Sequence, residues 1–308
     1  KELIRVDIRQ LKTFIEVSKL GSFSKAAEKL FLTQPTVTNH VQSIEKELDT
    51  VLLNRMSKGV TPTKAGDIVY QHAIDIINLY DSMKYKIDEH KGNIEGRLEI
   101  ASSSVPRRHL LPQLIYGFRK EHPLVPFSII DVDSSKVVQN ILNGYIDFGF
   151  VGAVFEEANL EYIGVMDDSL VFVTPSNIYA DKIEMSSISI TDIIRQPLIL
   201  REEGSGTGKV LNDALEHKGV KPNQLLVSAI VADIETIKRM ISLGTGSSFL
   251  SYKDAFDQSG NKLVQGNVFK VDELSLDRKF YLVFHKKRKL SPLGEAFKEF
   301  ALTYASIS

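Results

Sequence analysis

Apolar residues recur at helical spacing through the first third of the chain. Leu11, Phe14, Ile15 and Val17 give one helix an apolar face, and Gly21 ends it. Ser24 then stands as the N-cap of a short helix burying Ala26, Ala27 and Leu30, and Phe31-Leu32 forms a turn. Thr33 caps the next helix, with Pro35 in its first turn, where a missing N–H removes no helical hydrogen bond. That helix is predicted to bury Val37, Val41, Ile44 and Leu48 and to turn Thr36, Thr38, Asn39 and Gln42 outward. A small-residue helix, a tight turn and a second helix make a helix-turn-helix. Residues 51–62 read as a β wing with a polar tip at Ser57-Lys58-Gly59, and Thr63 caps the helix that TKAG opens.

From Val69 the apolar positions are Val69, Ala73, Ile76, Tyr80, Met83 and Ile87, in steps of 4, 3, 4, 3 and 4. A 3.5-residue repeat is the seam of a coiled coil, so residues 67–91 are expected to form a linker and dimerisation helix. The alternative is a helix packed on its own domain. Gly92 and Gly96 mark a hinge.

Beyond the hinge, strands and helices alternate. LEIAS, PFSIIDV, DFGFVG, LVFVT, PLILR, SSFLS and FYLVF read as strands. RRHLLPQLIYGFRKEH, SKVVQNILNG and segments near 206–218, 233–243 and 291–304 read as helices. The chain crosses between two parts near residues 161–174. Such alternation predicts an α/β fold of parallel sheets covered by helices. The domains are therefore 1–66, 67–91 and 92–308.

Composition narrows the function. The 308 residues are 43% hydrophobic, no apolar run is long enough to span a bilayer, and KELIRVDIRQLK lacks the apolar region of a secretory signal. There are no cysteines, which excludes disulfides, thiolate metal sites and thiol nucleophiles and fits a cytoplasmic protein. The net charge of −1 hides an asymmetry. Residues 1–66 carry 11 Lys/Arg against 7 Asp/Glu, and residues 67–308 carry 27 against 32. A basic head on an acidic body points to a polyanionic partner for the head.

The stretches DIRQLKTFIEV, GSFSKAAEKL, TQPTVTNHVQSIEKEL and TPTKAG make residues 7–66 similar to the head of the LysR-type transcriptional regulators. The resemblance implies a winged helix-turn-helix, a long linker helix and a two-lobed sensor domain like type 2 periplasmic binding proteins. Lobe I would comprise about 92–165 and 269–308, and lobe II about 166–268. It also implies double-stranded DNA and a small-molecule effector as partners, with a homodimer that pairs further into a homotetramer. LLPQLIYGFRKEHPLVPF and LREEGSGT resemble the subgroup tied to sulfur or selenium metabolism. Three positions depart from the family pattern: Asp49 replaces a usual Gly, Leu53 a usual Phe, and Asn39 a frequent Arg. The first two alter the wing turn, and the third alters base preference.

An α-helix fits the major groove with its first residues at the base edges. Thr33, Gln34, Pro35, Thr36, Thr38 and Asn39 are the candidate contacts here, and Gln and Asn can pair with adenine N6/N7. Arg55 and Lys58 of the wing are expected to meet phosphates or a minor groove. An ordinary solvated helix face is the competing explanation for these residues.

In the sensor half, Ser102, Ser103 and Ser104 follow the first strand and precede a helix, where open α/β folds bind ligands. Ser205, Gly206 and Thr207 follow the strand PLILR within Glu203–Gly208. Hydroxyls and helix N-terminal N–H groups favour an anion, so these six are candidate effector residues for a sulfate-like anion or carboxylate. The competing explanation is two helix caps with no ligand. Glu203–Gly208 is not a P-loop, because Val210 follows Lys209 where Ser or Thr is required. Val105 and Pro106 stand where sulfur-assimilation relatives carry Thr and Gln.

The seven histidines show no HxxxH spacing, so no metal is expected, nor any cofactor. Lys286–Lys289 reads as a solvated basic loop. With no G-x-S-x-G elbow or complete dinucleotide fingerprint, no enzyme is expected. The sensor half alone would permit a solute-binding protein. The helix-turn-helix head and the missing signal argue against that.

Overall fold

The structure is a computed structural model that describes residues 6–56, 59–90, 97–182 and 184–307. These form two compact units, residues 6–90 with 287–295 and residues 97–286 with 296–307.

The first unit opens with α1 (Ile8–Leu20). Its cap is reciprocal: Asp7 accepts from the Gln10 N–H at 2.8 Å, and Gln10 Oε1 accepts from the Asp7 N–H at 3.1 Å. Gly21 ends it at φ 59°. The next helix, α2 (Phe23–Leu30), is capped by Ser22 and not by Ser24. Ser22 stands outside the helix with extended backbone, so its hydroxyl reaches the Lys25 N–H at 3.3 Å. Ser24 already lies in the first turn and donates to Gln34 Oε1 at 3.1 Å. Helix α3 (Gln34–Glu47) buries Val37, Val41 and Ile44 completely. Leu48 does not join them. It leaves the helix as its C-cap and is 46% exposed, just before Asp49 turns the chain at φ 47°.

The wing is the antiparallel pair β1 (Leu53–Met56) and β2 (Gly59–Pro62). Its tip residues Ser57 and Lys58 lie outside the described residues, as do Gly92 and Gly96. Glu45 Oε1 holds the wing to α3 by accepting from the Leu52 and Leu53 N–H groups at 2.8 and 3.3 Å. Thr63 then caps α4 (Lys64–His90) by accepting from the Gly66 N–H at 3.0 Å. Any Cβ on Gly66 would collide with the Leu52 carbonyl oxygen.

The heptad stripe of α4 is divided. Val69 and Ala73 pack with Tyr70, Ile74 and Ile77 against Phe14, Val41 and Leu52 in the head core. Ile68, Ile76, Leu79, Tyr80, Met83 and Ile87 lie exposed. Within the same unit Arg288 donates to Gln71 Oε1 of α4 at 2.8 Å, so the basic run is not simply a solvated loop.

The second unit begins with β3 (Leu98–Ser102), α5 (Ser104–His109), α6 (Leu111–Glu121), β4 (Phe127–Asp131), α7 (Ser134–Leu142) and β5 (Phe148–Val151). The helix predicted across residues 107–122 is two helices broken at Leu110, because Pro112 in the first turn of α6 cannot continue the ladder of α5. A long strand, β6 (Leu160–Thr174), leads to α8 (Ile190–Ile193), β7 (Leu198–Leu200), α9 (Gly206–His217) and β8 (Val227–Ile230). Then come α10 (Ile234–Ser242), β9 (Ser248–Ser251), α11 (Tyr252–Ala255), β10 (Asn267–Phe269), β11 (Asp277–His285) and α12 (Pro292–Ile307).

Two lobes share β6 and β11. In one, β4, β3 and β5 run parallel, and β11 joins antiparallel to β5. Phe118, Phe148, Phe150 and Phe297 fill its core, with Phe118 and Phe297 edge to face at 5.1 Å. In the other, the far end of β6 pairs antiparallel with β9 and β10, and β7 pairs parallel with β8. The sheets are therefore mixed rather than parallel. The chain enters the second lobe on β6 and returns on β11, so these two strands must oppose each other.

Candidate DNA-binding and effector sites

The first turn of α3 is presented to solvent. Thr33, Gln34, Pro35 and Asn39 are exposed, and Thr36 and Thr38 are half-buried. The Thr33 and Thr36 hydroxyls lie 2.8 Å apart, and Thr33 caps the Thr36 N–H at 3.3 Å, which fixes the start of the helix. The wing is anchored beside the α1–α2 turn by the Val60 N–H bonding to the Gly21 carbonyl at 2.9 Å. Arg55, on β1, holds its guanidinium 5.0 Å from the centre of the Phe23 ring. Behind α3, His40 Nδ1 lies 2.9 Å from the buried Thr13 hydroxyl, a tie between α3 and α1.

In the second unit a cavity of about 560 Å³ opens between the lobes. Ser103 and Ser104 line one wall, and Ser205, Gly206 and Thr207 line the other. Ser102 does not reach it. Its side chain is fully buried and its hydroxyl donates to the Ser103 carbonyl at 3.1 Å. The hydroxyls that face the cavity are partly engaged. Ser205 caps α9 through the Gly208 N–H at 3.3 Å, and Ser104 accepts from Arg201 Nη2 at 3.3 Å.

The glycines of the 203–208 loop serve the lobe contact. Gly204 sits at φ 87°, and a Cβ there would lie 2.6 Å from Asp133 Oδ1. A Cβ on Gly206 would lie 2.8 Å from Ser134 Oγ and 3.1 Å from the Gly152 backbone. Across this junction the Ser135 N–H bonds to the Gly204 carbonyl at 3.1 Å.

The strongest chemistry in the cavity comes from residues that sequence patterning did not single out. Arg278 on β11 is almost completely buried, as is Asp168, its register partner on β6. Arg278 Nε donates to Asp168 Oδ2 at 2.8 Å, and Arg278 Nη1 donates to Thr207 Oγ1 at 3.0 Å. Ser251 on β9 donates to Asp168 Oδ1 at 2.7 Å. Arg278 Nη2 and the buried Ser134 hydroxyl have no hydrogen-bond partner. The signal was present in the period-two pattern. Alternation along β11 puts Arg278 on the buried face of Phe280 and Leu282, and a charge on such a face is a site marker.

The remaining charges on the walls are mostly paired. Arg201 grips Glu202 at 2.8 and 2.9 Å, Arg107 pairs with Asp131, and Lys136 pairs with Asp133 at 2.9 Å. The hydrogen bond that Lys136 donates to Asp133 raises the Lys136 pKa above its ordinary value. Arg108 meets Glu235 at 3.1 Å across the lobes, and also meets Asp254, which His109 Nε2 approaches at 2.8 Å. Asp233 caps α10. Hydrogen bonds from the Thr236 hydroxyl and N–H hold its pKa below the usual carboxylate value.

The family model for the bacterial regulatory helix-turn-helix protein, lysR family, matches residues 8–67, and the LysR substrate binding domain matches residues 91–306. The chain belongs to the LysR family. This LysR-family regulator is 33% identical over 241 residues to the HTH-type transcriptional regulator CysL of Bacillus subtilis, covering 78% of this chain and 79% of that one. A full-length OxyR variant from Pseudomonas aeruginosa has the same fold, with a TM-score of 0.70 at 17% identity over 98% of both chains. The effector binding domain of QuiR in complex with shikimate matches at a TM-score of 0.60 and 21% identity, over 69% of this chain and 98% of that one. Among the described residues no helix is long and apolar enough to cross a membrane.

Proposed function

We propose that this LysR-family regulator reads DNA with Thr33, Gln34, Pro35, Thr36, Thr38 and Asn39, with Arg55 and Lys58 on the backbone, and responds to a small anion or carboxylate held between its lobes. Its domains are the head 1–66, the linker 67–91 and the sensor 92–308. The exposed apolar stripe of α4 supports a homodimer. A regulator of this type acts on DNA in the cytoplasm, as a dimer or a tetramer of two such dimers. The segments LLPQLIYGFRKEHPLVPF and LREEGSGT support an effector from sulfur metabolism.

One observation carries the effector reading. Ser103 and Ser104 share a single cavity of about 560 Å³ with Ser205, Gly206 and Thr207, at the N-terminus of the 12-residue α9. Helix N-terminal N–H groups and hydroxyls converging in one cleft suit an anion. QuiR, which shares the fold, is in complex with shikimate, a carboxylate.

A thermal-shift screen of the full chain against sulfate, selenate, thiosulfate and small carboxylates tests this reading. An effector should raise Tm by mass action. The shift should fall at least tenfold in apparent affinity with Thr207→Ala. No shift across the set would return both loops to helix caps. Binding to promoter DNA, followed by fluorescence anisotropy, should weaken with Gln34→Ala and Asn39→Ala while thermal stability is kept.

A further inference from the structure

The walls of the inter-lobe cavity carry five cationic side chains and five carboxylates, so its lining is electrically balanced. Two more carboxylates, Asp168 and Asp254, are buried directly behind it against Arg278 and Arg108. A ligand bearing only negative charge would meet these acids as well as the cations, and like charges at close range oppose binding.

Within this balanced lining several buried donors keep no acceptor, Arg107 Nε and Arg108 Nε among them, and one such donor and one carboxylate suit the two ends of a ligand. Arg278 Nη2 is a buried donor with no acceptor, and the hydroxyl of Ser134, which lines the same cavity, is also unpartnered. Among the described residues, Asp233 is the lining carboxylate with no cation within ion-pair distance, although Arg108 and Arg201 are near enough to act on its charge. Asp131, Asp133, Glu202 and Glu235 each face a cation. Both bonds that Asp233 accepts from Thr236 go to Oδ2, which leaves Oδ1 free. A buried guanidinium N–H without an acceptor calls for an oxyanion, and a free carboxylate oxygen calls for a donor.

We infer that the cleft takes a small amphoteric ligand of the amino-acid class, its acid group on Arg278 and Ser134 and its ammonium group at Asp233. The proposal rests on the effector reading above and names the ligand class for that same site. The α9 N-terminus supplies additional N–H groups to the acid end. The ligand displaces no existing ion pair, because its acid end meets the Nη2 that the Asp168–Arg278 pair leaves without a partner and its ammonium end meets Asp233, which forms none.

The test uses the full chain in thermal shift and calorimetry. The probes are the twenty α-amino acids, each beside its 2-hydroxy acid and its 2-oxo acid, which keep the carboxylate and lose the ammonium group. The expected result is that at least one amino acid binds at least tenfold more tightly than both deaminated partners. Asp233→Asn should erase that preference and leave the hydroxy acid unchanged. Asn caps a helix as well as Asp does, so this variant retains α10. Hydroxy or oxo acids binding as tightly as amino acids would overturn the amphoteric ligand and leave an anion site standing. An amino-acid preference that survives Asp233→Asn would overturn the placement of the ammonium group at Asp233. If neither these probes nor the oxyanion and carboxylate set binds, the effector reading falls as well.

Discussion

Asp49 stands where the resemblance expects glycine, and its backbone shows why glycine is preferred there. It adopts φ 47° just after α3, in the left-handed region that costs an L-residue about 1–2 kcal/mol. Aspartate tolerates that region better than most residues and is exposed here, so the fold survives the departure. Asp49→Gly should therefore stabilise the protein by about 1 kcal/mol, after the entropy glycine loses on folding. The check is a urea midpoint that rises with an unchanged m-value. Most single residues of the head were legible in this way, because caps and turns are local chemistry. Ser22 against Ser24 was not, since either serine fits the pattern and only the entry angle of the chain decides between them. Arg278 was missed for a different reason: the strand read as FYLVF begins two residues after it, so the alternation that puts it on the buried face was not carried back far enough.

At the level of elements, α4 shows how one stripe can serve two purposes. Its 3.5-residue repeat was readable, and so was a competing pattern packed on its own domain. The structure divides the stripe between them: Val69 and Ala73 go to the head core, and Ile76, Tyr80, Met83 and Ile87 stay exposed. If those exposed positions form the dimer seam, Ile76→Glu with Met83→Glu should convert the dimer to a monomer in light scattering. The helical circular dichroism should be kept, because neither side chain supports the head core. A dimer that persists would place the interface elsewhere. The break at Leu110 was also legible in principle, since Pro112 announces it, but apolar spacing alone runs straight through. The antiparallel direction of β6 and β11 could not be read, because strand alternation does not reveal when a chain returns through the same sheet.

For the molecule as a whole, the α/β class, the helix-turn-helix head and the position of the polar loops followed from local patterns. The Asp168–Arg278 pair did not, because it joins residues 110 positions apart. Its energetics make a clear prediction. Removing one member of a buried ion pair leaves an uncompensated charge, which costs about 3–5 kcal/mol, whereas replacing both by apolar residues is often neutral. Asp168→Ala should therefore lower stability by about that much in urea titration. Asp168→Leu with Arg278→Met should recover most of it while losing the response to effector. A double variant as unstable as the single one would mean that the pair supports the fold beyond its charge.

The crossing strands have one further consequence. Ser169 and Asp277 are register partners on β6 and β11, so the segment between them leaves and re-enters the first lobe at one place. Neighbouring strands lie about 4.8 Å apart, a gap that a two-residue turn can close. The second lobe is in this sense an insertion threaded through a single doorway. It can be excised and the doorway sealed without rethreading any strand of the lobe that remains.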